Sequence, residues 1–246
     1  MRTFAAALCL ALLLAGCAGG PGGSARDRFY RSLKPQANPS AVIATELAFA
    51  REAREKGQWT AFRKFAADNA VMFVPEAVEA RKWLSRRDDP AQPVQWQPHQ
   101  LWSSCDGSLS VTRGAWQRPD GTTGYYTTVW ERRGRPGDEE EHRWLLDQGD
   151  DLAEPLTEPD IIRTQVADCA PDGQPAAFAA AQADRDAGAE AAGLGLADGY
   201  GESRDRTLVY RYRVAPDRSR VVSVFLRKGD TMEEVLRSEV AAPAGD

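Results

Sequence analysis

The chain is poor in the residues that most often carry chemistry. Two histidines, His99 and His142, are all it has. No HxH, HExxH or CxxC spacing occurs, so nothing in the pattern points to a zinc site. No GxGxxG follows a strand pattern and no P-loop occurs, which removes the common phosphate-cradling motifs. Ala192 to Leu196 reads as low-complexity loop, and no GxSxG elbow is present. After the first sixteen residues no run is long and apolar enough to span a bilayer. The formal charge of −5 argues against nucleic acid as a partner. No cofactor is implied.

The beginning of the chain is more informative. Arg2 supplies a short positive region, Phe4 to Ala15 an apolar run, and Leu14-Ala15-Gly16-Cys17 ends it. This resembles a bacterial lipobox. The resemblance implies a signal peptide over 1–16, cleavage before Cys17, a thioether-linked diacylglycerol on its sulfur and acylation of the new N-terminus. Two or more acyl chains on one residue give a durable membrane anchor. Ala18 in the next position, in a Gram-negative host, favours the outer membrane with the protein facing the periplasm. Residues 17–38 are Gly/Pro-rich, then polar and basic, and read as a flexible tether.

Four Cys are present. Cys9 leaves with the signal and Cys17 takes the lipid. Cys105 and Cys169 remain in an oxidising compartment. Each stands beside a turn signal, Asp106-Gly107 and Pro171-Asp172-Gly173, where two strand ends can approach closely. A disulfide between them is expected, the alternative being two separately buried thiols.

The next segment alternates helical and strand patterns. AVIATELAFAREAREK places Val42, Ile43, Leu47, Ala50 and Ala53 at helical spacing, with Glu46 among the charged residues opposite. Ser40 is a plausible N-cap and Gly57 a stop. Trp59, Phe62 and Phe65 mark a second helix, residues 70–74 a short strand, and 76–87 a third helix ended by Asp88-Asp89-Pro90. Four strands then follow over residues 94–105, 108–117, 124–133 and 142–150, separated by turn signals at 106–107, 119–121 and 134–138. Trp102, Trp116, Trp130 and Trp144 fall one to a strand, as expected on the inner side of a curved sheet.

This order, with the helices around Gln58-Trp59, the strand VMFVP, and the strands SLSVTRGAW, YYTTVWER and WLLD, resembles the nuclear transport factor 2-like superfamily, including the SnoaL-like proteins. The resemblance covers residues 39–151. It implies an α+β cone, three N-terminal helices on a curved antiparallel sheet, with a pocket at the open end. Trp59, Phe62, Phe73, Trp102, Trp116, Tyr126 and Trp130 are the candidate pocket residues, although the same spacing suits core. Enzymes of this superfamily place a carboxylate or a His-Asp pair with Tyr donors in the pocket. The candidates here are His99, Asp147 and Tyr125 or Tyr126. An apolar pocket would raise the carboxylate's pKa towards working pH.

Residues 152–160 are acidic with two prolines and read as a domain junction. Residues 161–246 are expected to form a small C-terminal antiparallel β extension. It would hold a strand at 161–169, a mobile loop at 171–205 and a hairpin-linked sheet from Arg206 onward. Arg211, Arg213, Arg218, Arg220 and Arg227 cluster in sequence there and could meet anionic glycans or lipid headgroups, or form a solvated face.

Three functions fit these readings. The first is a lipid-anchored, non-catalytic envelope module that binds a small apolar ligand or a partner protein. The second is an enzyme with a general acid/base pocket. The third is a structural envelope protein that forms a homodimer.

Overall fold

The computed structural model describes residues 36–134, 141–169 and 198–243. The expected signal peptide, Cys17, most of the expected tether and the expected turn at 134–138 beyond Gly134 therefore lie outside the described residues. The described residues belong to one unit.

The chain order is α1 (Pro39–Lys56), α2 (Gln58–Phe65), β1 (Ala66–Phe73), β2 (Ala77–Glu79) and α3 (Ala80–Leu84). Next come β3 (Gln95–Ser103), β4 (Leu109–Gln117), β5 (Thr123–Arg133), β6 (Glu141–Leu152) and β7 (Arg163–Val166). The last elements are β8 (Asp198–Glu202), β9 (Leu208–Val214), β10 (Arg220–Lys228) and β11 (Thr231–Val240). The first helix starts two residues earlier than Ser40 as N-cap suggests. Asn38 is the N-cap, its side chain accepting from the Ala41 N–H, and Pro39 occupies the first turn, where its missing N–H costs nothing. Gly57, at φ +112°, separates α1 from α2.

The cone expectation is overturned. Half of the described residues are in strands and 18% in helices. They build a seven-stranded mixed sheet, ordered β2-β1-β6-β5-β4-β3-β7, and a four-stranded sheet, ordered β11-β10-β9-β8. The expected meander is there as β3 to β6, but both flanks of it are parallel additions. β1 runs parallel to β6, and β7 runs parallel to β3. The third helix shrinks to α3, because Ala77, Val78 and Glu79 pair with β1 as a strand instead.

The large sheet is covered on both faces, as layered architectures require of an apolar sheet. On one face Leu101, Trp130 and Trp144 pack with Val42, Phe49 and Ala53 of α1 and Ala61 of α2. On the other, Trp102, Leu109, Val111, Val129 and Leu146 pack against Leu208, Tyr210, Val222, Val224 and Leu226 of the small sheet. The C-terminal strands are thus half of the second core rather than a small extension. The strand at 161–169 also belongs elsewhere than expected, since β7 is the edge of the large sheet. Asp198 to Glu202, placed in the mobile loop by the sequence reading, is an edge strand of the small sheet. Residues 171–197 of that loop lie outside the described residues.

The core face of α1 also differs from the periodicity reading. Val42, Glu46, Phe49, Ala50 and Ala53 are buried, while Leu47 is 47% exposed. The stripe is rotated so that a carboxylate, rather than a leucine, enters the interior.

Candidate functional site

Glu46 enters the core from α1 and meets three donors from the sheet. The Trp96 indole N–H donates to Oε1 at 2.8 Å. The Thr112 hydroxyl donates to Oε2 at 2.6 Å and the Trp130 indole N–H to the same oxygen at 3.0 Å. Burial pushes the Glu46 pKa up, and these three hydrogen bonds oppose the shift. A buried carboxylate with three donors is a satisfied group, and its bonds pin α1 to β3, β4 and β5.

One register row extends this polar patch across the sheet. Thr112 lies opposite Thr128, and Thr128 opposite Asp147. In-register neighbours share a face, so Asp147 points to the helix side with Thr112. The Thr128 hydroxyl donates to Asp147 Oδ2 at 2.7 Å. Burial raises the Asp147 carboxyl to about 7, and the nearby Glu46 charge pushes in the same direction. Tyr126 precedes Thr128 by two residues and so shares its face. Its ring crosses Gly114, where a Cβ would come within 2.8 Å of it and would strike the Gln97 carbonyl. The Tyr126 hydroxyl is buried with no hydrogen-bond partner, and burial with the charges of Glu46 and Asp147 holds its pKa well above that of a free phenol.

The expected His99–Asp147 pair does not form. Asp147 is bonded by Thr128. His99 sits where the β3–β4 register shifts, with Nε2 buried and unpartnered. Burial lowers its pKa, and the charge that opposes this is Glu158, not Asp147.

The seven aromatic pocket candidates do not gather round one space. Trp59, Phe62 and Trp130 lie on the helix side, where rings meet edge to face: Phe62 with Phe49 at 4.8 Å, Trp59 with Trp83 at 5.4 Å, Trp130 with Phe49 at 5.9 Å. Phe73 and Trp102 belong to the opposite face, and Phe73 packs on Tyr212 at 5.3 Å. Trp116 donates to the Tyr125 carbonyl and carries the Arg118 guanidinium on its ring. These are core contacts and surface stacking, not a ligand cage. A depression of about 300 Å³ is lined by residues that include Arg54, Gln92, Gln95, Gln117 and Arg118. None of the seven aromatics borders it. Arg118 there is committed to Asp151 through two bonds near 3 Å.

The C-terminal arginines are dispersed as well. Arg220 turns inward to Gln148 and the Gly149 carbonyl, and Arg227 donates to the Gly229 carbonyl. Arg213 pairs with Asp198 and Arg218 with Glu76.

Cys105 and Cys169 are joined, with their Cα atoms 5.1 Å apart. Cys105 follows β3 and Cys169 follows β7, so the bridge links neighbouring strands of one sheet. The sequence reading put one end in the cone and the other in the C-terminal extension. Glu46 and the Thr112–Thr128–Asp147 row were missed as a unit. Only the four-residue spacing from Val42 to Glu46 and on to Ala50 carried a hint.

Among the described residues no cluster of His, Cys, Asp and Glu suits a metal ion, and no helix is long and apolar enough to cross a membrane. No protein-family model matches the chain, and no curated protein sequence matches it.

Proposed function

We propose that the chain is a lipid-anchored cell-envelope protein whose β-rich domain is a non-catalytic module for binding a partner protein. The anchor rests on Leu14-Ala15-Gly16-Cys17 after a charged and apolar leader. In a Gram-negative host the module faces the periplasm from the outer membrane. The Cys105–Cys169 link agrees with an oxidising compartment. The observation that carries the non-catalytic part is the saturation of Glu46. The most buried carboxylate of the helix side spends its oxygens on Trp96, Thr112 and Trp130. The surrounding aromatics likewise contact one another, which favours a protein partner over a small apolar ligand.

Detergent phase partitioning after expression in a bacterium tests the anchor. Wild-type protein should enter the detergent phase and incorporate labelled palmitate, and Cys17→Ser should do neither. Wild type found in the aqueous phase would reject the anchor.

A second reading has its own support. Asp147, with a carboxyl near 7, and Tyr126, with an unpartnered hydroxyl, form an acid/base and donor pair on one face. This reading needs a turnover that Asp147→Asn and Tyr126→Phe each abolish without lowering the melting temperature.

A further inference from the structure

Among the described residues the two sheets have four edges, and β7 is the least blunted of them. β2 is three residues long and runs straight into α3. β11 carries Glu233, Glu234, Arg237 and Glu239, and its register shifts opposite Val224 and Phe225. β8 alternates glycines with its other residues beneath the Tyr210 and Tyr212 rings. Charges, short length and bulges are the usual guards against strand addition. β7 is also short and carries Arg163, but all four of its residues are exposed, with no Pro, no Gly, no acidic residue and no register shift against β3. Of four large hydrophobics exposed among the described residues, two are Ile161, at 75%, just before β7, and Val166 at its end.

The backbone of β7 fixes what is on offer. The Ala167 N–H donates to the Ser103 carbonyl of β3. Successive residues of a parallel ladder address opposite neighbours. Arg163 and Gln165 therefore bond inward with Ala167, and Thr164 and Val166 face away from β3. The Val166 carbonyl takes the Lys228 ammonium at 3.4 Å, which agrees with this alternation. Among the described residues the Thr164 N–H and carbonyl and the Val166 N–H face no strand and remain for an eighth one. The approach to β7 is acidic. Glu154, Glu158 and Asp160 are exposed there and form no ion pair among the described residues. A second copy of the chain, with its own charge of −5 and the same acidic approach, is the wrong occupant.

We infer that the outer edge of β7 receives an extended, Lys/Arg-bearing segment of a partner protein as an added strand. The inference rests on the partner-binding reading above and names its surface. Backbone bonds to Thr164 and Val166 supply the pairing, Ile161 and Val166 the apolar grip, and Glu154, Glu158 and Asp160 the preference for basic sequence.

The test uses full-length protein in detergent and a capped fluorescent octapeptide of alternating Lys and Val, read by anisotropy. The Lys/Val peptide should bind, more weakly as salt rises, and a Glu/Val peptide should not. Thr164→Pro removes one outward N–H and leaves the inward ladder whole. It should weaken binding by about tenfold or more at an unchanged melting temperature. Val166→Lys, a milder edge guard, should act in the same direction. Equal binding of both peptides, or no loss in either variant, would overturn the β7 site. A photo-crosslinking residue at position 165, 200 or 233 in the native envelope separates this from failure of the parent reading. An adduct at 165 lost in Thr164→Pro supports the site. Adducts at 200 or 233 only keep a protein partner and discard β7. No adduct from any of the three, with no peptide binding, discards both.

Discussion

Glu46 Oε2 lies 3.0 Å from the indole nitrogen of Trp130, a residue 84 positions further along the chain. One carboxylate oxygen thus joins the first helix to the centre of the large sheet. Removing it leaves Trp96, Thr112 and Trp130 with donors facing an emptied site. Glu46→Ala should cost about 3 kcal/mol or more in urea unfolding. Glu46→Gln should cost less but remain destabilising, because its amide N–H₂ must face an indole N–H or the Thr112 hydroxyl.

Asp147 makes stability depend on pH in a definite direction. Its folded pKa, about 7, stands above the ordinary 3.8, so folding favours the protonated carboxyl. That contribution is complete below about pH 4 and is lost as pH rises towards 7. The gap in melting temperature between wild type and Asp147→Asn should therefore change across pH 4 to 7 and stay level above it. A constant gap over that window would contradict the raised pKa.

Reducing the Cys105–Cys169 bond releases a loop spanned by a sequence separation of 64. The chain-entropy relation puts the loss at about 4 kcal/mol, and unfolding with and without reductant measures it.

A fragment ending near Glu154 should fail to fold cooperatively. It would expose Trp102, Leu109, Val111, Val129 and Leu146, which the small sheet covers, and would lose the Tyr125–Ser238–Gln148 hydrogen bonds between the sheets. Circular dichroism and dye binding would show a collapsed, loosely packed chain. A sharp thermal transition in that fragment would restore an independent N-terminal domain.

The sequence carried the local part of this architecture well. Gly57 and the spacing from Trp59 to Phe65 marked two helices, and the Asp106-Gly107 and Pro119-Asp120-Gly121 turns marked the hairpins of the meander. The parallel pairings left no such trace. β1 reaches β6, and β7 reaches β3, by long crossovers without a turn signature, so VMFVP looked like a strand with no address and the strand at 161–169 was given to the C-terminal sheet. Asp198 to Glu202 was hidden because two glycines suppress the alternation that marks a strand. The site suffered from the same locality. Glu46 counted as a surface charge because its three partners come from distant strands, and Trp102 was grouped with Trp130 although one strand's neighbour faces the helices and the other the small sheet.

The parallel pairing of β1 with β6 also sets an order of events. Ala66 finds its partner only at Trp144, and Phe49 and Glu46 wait for Trp130. A chain emerging N-terminus first holds its helices with an unpaired acid and uncovered rings until most of its length has appeared. Such long-range closure slows folding and prolongs exposure to other chains. Should this protein cross a membrane unfolded, as the proposed leader would require, the interval between the arrival of α1 and of β6 is when it would most need a holding chaperone.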